Sequence, residues 1–302
     1  MPLQSMRLAA SFGFLAGLGL ITAGPVMATP IIGVVGQTTL IGFDSAAPGV
    51  VTSTLNLTGL NGELIRGIDT RPATGQLYAL GQSGTLFTID TVSGVATAIP
   101  GAVPVGFGDL DFGVGFNPVP DRLRVVTATD LNLRVDPTTG TTIADGNLAY
   151  AAGDPGANSN PLVTAIAYTN QVAGATTTTL YGIDVTRGTL VLQDPPNAGT
   201  LTTIGSLGVA LFPNGFGIGF DIDAASGVAF ASLTTLIGGN ELHTVNLTTG
   251  TASLLGSFGP NTVRDIAVGT LGAVAVPEPS TLALFGMALA GLVSLRRRRR
   301  HG

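Results

Sequence analysis

The stretch Leu77-Tyr78-Ala79-Leu80-Gly81-Gln82-Ser83-Gly84-Thr85-Leu86-Phe87-Thr88-Ile89-Asp90 lies without a gap on Ile31-Ile32-Gly33-Val34-Val35-Gly36-Gln37-Thr38-Thr39-Leu40-Ile41-Gly42-Phe43-Asp44, and Leu123 to Asp136 fits the same frame. Each copy reads as two short apolar strands around a hairpin, ended by an acid. After that acid, or an Asn in its place, comes a Gly that opens a Thr-rich run: Asp44 to Gly49, Asp90 to Gly94, Asp136 to Gly140, Asp194 to Gly199 and Asn246 to Gly250. The turns begin 46, 46, 58 and 52 residues apart. The Asp or Asn side chain caps the turn's own backbone and the Gly supplies a positive φ, so each is a hairpin signal with a mechanism.

One more apolar strand precedes each pair, at Leu64–Asp69, Phe112–Phe116, Leu162–Tyr168 and Phe216–Asp221. Every unit thus holds four short strands in up-and-down order. No apolar period of 3.6 residues appears between Thr29 and Val276, so the domain reads as all-β. Five turns over these residues give about 50 per unit, near the length of a propeller blade. The expected fold is a β-propeller of about five four-stranded blades; six blades or a flattened β-barrel of the same hairpins is the alternative. Thr262–Ala267 lies on Leu64–Asp69, whereas the chain begins at what would be the second strand of a blade. One blade is therefore expected to draw strands from both termini, which removes an open sheet edge.

The two ends read differently. Arg7, the apolar stretch Leu8–Leu20 and the small residues of Val26-Met27-Ala28 predict a signal peptide, 1–28, cleaved by signal peptidase after Ala28. The propeller domain is expected over 29–275. Residues 276–302 hold Pro277-Glu278-Pro279, the apolar run 282–295 and the block Arg296–Arg300. As a helix, that run spans roughly 21 Å against a hydrocarbon core of ~30 Å, which suits transient membrane insertion with the Arg block held in the cytoplasm.

Pro-Glu-Pro, short helix and Arg cluster, in that order, resemble the PEP-CTERM sorting signal of Gram-negative bacteria. The resemblance implies recognition by an exosortase, cleavage near the motif, and export alongside exopolysaccharide or biofilm components. A permanent single-pass anchor is the alternative.

Of 302 residues, 45% are hydrophobic and 10% charged, which is too apolar for disorder. Cys is absent, so disulfides, a thiol nucleophile and Cys-ligated metals are excluded. All cations are Arg; between residues 29 and 276 seven of them face 17 acids, a charge of −10. That balance disfavours nucleic acid and anionic lipid as partners.

His243 is the one His of the mature region and falls in the column of Ile41, Phe87, Leu133 and Val191, which reads as core. No catalytic residue is assigned. Asp109-Leu110-Asp111, Asp221-Ile222-Asp223 and the loop Asp154–Asn160 are rich in oxygen ligands. A structural Ca2+ is open there, although turn chemistry explains them as well and no cofactor is expected. Arg66, Asp69, Arg264 and Asp265 fall on innermost strands, where they either hold a small polar ligand in the axial channel or pair with one another and the backbone.

Gly113-Val114-Gly115-Phe116-Asn117-Pro118-Val119-Pro120-Asp121-Arg122-Leu123-Arg124-Val125-Val126 and Asn132-Leu133-Arg134-Val135-Asp136-Pro137-Thr138-Thr139-Gly140 resemble the bacterial secreted domain-of-unknown-function family 4394, as do Ile65–Asp69 and Gly75–Leu80. The family implies no activity, so it carries over no site. Arg122, Arg124 and Arg134 are expected to pair with Asp121 and Asp136. The functional expectation is an exported binding or matrix protein with exopolysaccharide or other envelope components as partners; a metal-dependent propeller hydrolase, lactonase-like or glycan-active, is the competing class.

Overall fold

The structure is a computed structural model that describes residues 28–106, 111–213 and 216–272. Five small sheets follow one another along the chain. Blade I holds β1 (Pro30–Val35), β2 (Thr39–Asp44) and β3 (Ala47–Asn56); blade II holds β4 (Ile65–Arg71), β5 (Gln76–Gly81), β6 (Leu86–Ile89) and β7 (Ala96–Ala98). Blade III is β8 (Phe112–Asn117), β9 (Arg122–Thr127), β10 (Asn132–Val135) and β11 (Thr142–Ala144). After β12 (Ala149–Tyr150), blade IV is built from β13 (Val163–Tyr168), β14 (Leu180–Asp184), β15 (Thr189–Gln193) and β16 (Thr200–Ser206). Blade V is β17 (Gly219–Ile222), β18 (Ala229–Thr235), β19 (Gly239–Val245) and β20 (Ala252–Ser257), and β21 (Val263–Val268) ends the fold.

β21 does not join blade V. It pairs antiparallel with β1, Ile31 opposite Val268 and Gly33 opposite Ile266, and so becomes the innermost strand of blade I. The molecule is a five-bladed propeller closed by both ends of the domain. One departure from the expected four-strand units is β12, whose two residues run parallel to β16 and give blade IV a fifth strand.

Apolar side chains gather in five clusters among the described residues, one at each blade–blade interface. Strand faces turned toward a neighbouring blade are the ones that bury, which is why the inner strands read as near-continuous apolar runs. Edge-to-face ring pairs reinforce two of these interfaces, Phe43 with Phe258 at 5.2 Å and Tyr78 with Phe116 at 5.0 Å.

The repeated turn explains how blades register. In the turns begun by Asp90, Asp136 and Asn246, the side-chain oxygen accepts two backbone N–H groups, and the turn Gly has φ of 70° to 81°. These glycines also press on the chain leaving the preceding blade. A Cβ on Gly94 would sit 2.4 Å from the carbonyl oxygen of Asn56, on Gly140 2.1 Å from that of Pro100, on Gly199 2.3 Å from that of Asn147, and on Gly250 2.5 Å from that of Gly205. Gly49 meets Ser257 likewise at 3.0 Å. In blades II to V one glycine thus serves both the turn and the spacing to the neighbour, whereas Gly49 lies inside β3 and serves the spacing alone.

Candidate functional site

The innermost strands β4, β8, β13, β17 and β21 each pack against the next around the axis. Their starts form one end of the channel, here its mouth; their ends form the base, where the described chain also begins and leaves, with Gly269 N–H bonded to the carbonyl oxygen of Pro30. Glycine lets these backbones meet: a Cβ on Gly67 would lie 2.3 Å from Val114, and one on Gly219 2.7 Å from the Cα of Asp265.

Three buried carboxylates stitch the ring together. Asp221 accepts N–H groups from Ile222 at 2.7 Å and, across the blade boundary, from Val268 at 2.6 Å. Asp265 accepts from Ile266 at 2.9 Å and from Ile68 of blade II at 2.8 Å. Asp69 accepts from Thr70 at 2.7 Å and from Phe116 of blade III at 2.5 Å. The pattern is the same each time: one oxygen on the next residue of its own strand, the other on the neighbouring strand. It runs unbroken from blade V through blades I and II to blade III, so the blade assembled from both termini is stitched on both sides.

Burial dominates the titration of this group. It pushes Asp221 up to about 7, and it raises Asp265 and Asp69 well above the ordinary carboxylate range. Repulsion from Asp221 adds to the shift of the other two, and the backbone N–H groups only partly oppose it.

At the mouth, Asp111 precedes β8 and pairs with the Arg264 guanidinium. Arg264 is buried, and its guanidinium carbon lies 4.0 Å from the centroid of the Phe216 ring, which stays 39% exposed. Burial raises Asp111 to about 6 against the pull of Arg264 and Arg66. Burial also lowers Arg264, with Asp111 opposing and Arg66 adding to the effect. Arg66 sits on a bulge of β4, donates to Gln82 at 3.1 Å through one terminal nitrogen, and has a buried Nε without an acceptor.

The structure therefore separates the four axial residues named from the sequence. Near the mouth Arg264 pairs with Asp111 while Arg66 bonds Gln82, whereas Asp69 and Asp265 engage the backbone deeper in the ring. Asp221, read above as half of a carboxylate pair, is the third stitch. Its partner Asp223 follows β17 and caps a turn through Ala225 and Ser226, so the two carboxylates do different work. Asp109 lies outside the described residues. Asp154 is held by Gly156 N–H and by Thr203, both as turn and strand chemistry. Among the described residues no three His, Cys, Asp or Glu side chains come close enough together to hold a metal ion.

His243 is 2% exposed and lies in the buried column with Ile41, Phe87, Leu133 and Val191. Burial lowers its pKa and keeps the ring neutral, with Glu241 3.8 Å from Nε2. The arginines of blade III depart from the expected pairs. Arg122 reaches Asp136 at 3.2 Å, but Asp121 is held bidentately by Arg71 of blade II. Arg124 is buried against Tyr168 at 2.7 Å, Asn197 at 2.6 Å and Asp145 at 3.2 Å, and Arg134 shares Asp145 at 2.7 Å. Arg122–Asp136 is the expected local pair and Asp145 is a further partner from blade III itself, while Asp121 and Arg124 also draw partners from adjoining blades.

No helix among the described residues is long and apolar enough to cross a membrane, and the run 282–295 lies outside them. So do Pro277, Glu278, Pro279, the Arg block and the signal segment before Ala28.

Solved structures that the chain resembles include a structural-genomics protein of unknown function from Bacteroides thetaiotaomicron VPI-5482, 16% identical, covering 81% of this chain and 66% of that one at a TM-score of 0.48. Another is the glutaminyl cyclase of Myxococcus xanthus, 16% identical, with coverage of 69% and 83% and a TM-score of 0.43. No curated protein matches the chain. Residues 275–299 match the PEP-CTERM protein-sorting motif, which marks the chain for exosortase processing during export. Residues 39–267 match the domain of unknown function DUF4394, and by that match, which covers β2 to β21, the chain belongs to this family.

Proposed function

We propose that the protein is a non-enzymatic binding or matrix component of the cell envelope or its extracellular polysaccharide, exported through a signal peptide cleaved after Ala28 and sorted by an exosortase at Pro277-Glu278-Pro279. In this reading residues 282–295 occupy the inner membrane only in transit, and exopolysaccharide or another envelope component is the partner. The observation that carries it is the use of the axial carboxylates: Asp69, Asp221 and Asp265 each give both oxygens to backbone N–H groups, which makes them fasteners of a rigid ring. A metal-dependent hydrolase would need such oxygens turned to a metal and a substrate.

Orientation supports the reading. The described chain begins and leaves at the base, so a domain tethered through its C-terminal segment presents the mouth outward. That side also exposes Phe212, Leu236 and Ile237 on blade V, with Leu236 N–H bonded to Ala210 and Phe212 N–H to Thr234. Contiguous exposed apolar residues of this kind mark contact surfaces. The test is recovery of the mature protein from the envelope or medium, mass analysis of its C-terminus, and pull-down of native exopolysaccharide with metal analysis of the same sample. A product lacking the Arg block that retains polysaccharide is expected. An intact Arg tail overturns the sorting step, and stoichiometric metal without polysaccharide reverses the ranking in favour of the hydrolase.

A further inference from the structure

We propose that the root of the sorting segment is latched to the domain: Ala273-Val274-Ala275-Val276 docks in the groove at the base of blade II, between strands β5 to β7 and the turn that begins at Asp90. The described chain leads there. β21 ends beside the axis at Val268, and Gly269 N–H bonds the carbonyl oxygen of Pro30. Leu271 packs on the apolar cluster between blades I and II, and Gly272 N–H bonds the carbonyl oxygen of Thr91 at 2.7 Å. Four residues thus carry the chain from the innermost strand to the turn between the two outer strands of blade II. Thr91 lines the groove, so the segment that follows Gly272 starts at its rim.

The repeat singles out this turn. The groove, of about 750 Å3, is lined by Val92 and Val95, which are 56% and 46% exposed. The turns of blades III and V have the same length and hold Thr138 and Thr141, and Thr248 and Thr251, at those two positions, all exposed. Of three like turns, the one at which the chain departs carries valines where the others carry threonines, and adjacent exposed apolar side chains mark a contact surface. The segment matches that surface: it is uncharged, and its alternation turns Val274 and Val276 to one side when extended. Its reach is sufficient as well. Four extended residues span at most about 14 Å, whereas three strands roughly 4.8 Å apart make a groove about 10 Å across. Docked in this way, the segment starts Pro277-Glu278-Pro279 at the outer rim of blade II, away from the axis.

The experiment is a double-mutant cycle read by thermal melting of the full chain in detergent. Val92→Thr installs the residue that blades III and V hold at this position, so the turn itself tolerates it. Val92→Thr and Val274→Thr are each expected to lower the melting temperature by about 2 °C or more, and the two together by no more than the larger single effect. Val172→Thr, at a valine of similar exposure outside the groove, is expected to leave it unchanged. Absent shifts, shifts that simply add, or an equal shift from Val172→Thr overturn the latch. So does a shift confined to Val92→Thr together with a melting temperature that rises with protein concentration, which would seat a second copy in the groove.

Discussion

Asp265 accepts one N–H from its own successor and one from Ile68 of the next blade, so removing its side chain orphans two buried donors at once. Each costs about 1–3 kcal/mol when left unsatisfied. Relief of an unfavourably buried carboxyl offsets part of this, and Asp265→Ala is expected to lose about 2 kcal/mol or more in urea unfolding; an unchanged midpoint would contradict the stitch. At this scale the sequence was half legible. Its alignment placed Asp69 and Asp265 on inner strands, because a repeated strand pattern fixes which residues are innermost. It also set Asp221 at the end of an inner strand, but not against the backbone N–H of Val268 that its second oxygen meets. That depends on the level at which the adjoining strand stands, and the close approaches of Gly67 and Gly219 set that level. Arg124 was opaque for the same reason: its partners Tyr168 and Asn197 are brought in by blade packing, not by sequence proximity.

At the scale of the element, the turn Gly was read for its positive φ, which holds at Gly94, Gly140, Gly199 and Gly250 but not at Gly49, which lies inside β3. What the sequence concealed is the second constraint, contact with the preceding blade, since no local pattern encodes a carbonyl arriving from elsewhere. The two can be separated. Gly140 and Gly227 have nearly the same φ, 70° and 71°, but a Cβ on Gly140 meets the Pro100 carbonyl oxygen whereas one on Gly227 meets nothing within 4 Å. Gly227→Ala is expected to cost about 1 kcal/mol, the strain of a left-handed residue alone. Gly140→Ala adds the displacement of a neighbouring blade and is expected to lower the melting temperature several degrees further. Equal melting shifts for the two variants would show that blade spacing does not depend on this contact. The strand β12 was invisible beforehand because a two-residue parallel pairing leaves no periodicity to read.

Over the whole molecule, the buried carboxylates shape how stability responds to pH. Asp111 is raised to about 6 and Asp221 to about 7, and Asp69 and Asp265 are raised too, so the folded state binds more protons than the unfolded chain between the ordinary carboxylate pKa and these values. Their contribution is complete below that ordinary pKa and is lost as pH rises through about 6 and 7. The turn carboxylates Asp90, Asp136 and Asp154 are lowered by hydrogen bonds and act in the opposite sense at more acid pH, where protonation removes their support. Unfolding midpoints in urea are therefore expected to be highest at mildly acidic pH and to fall toward neutrality; a midpoint that climbs steadily through that interval would refute the burial account. The order of the strands carries one more consequence, for the timing of biogenesis. β21, which completes blade I and receives or supplies two of the three stitches, ends at Val268, and the sorting motif begins only a few residues later at 275. During synthesis and secretion the ring cannot close until nearly the last of the domain has emerged, and the address label follows immediately behind. A chain cut short anywhere before β21 lacks both, so the layout couples delivery to completion: only a molecule able to shut its own ring carries the tag that exosortase reads.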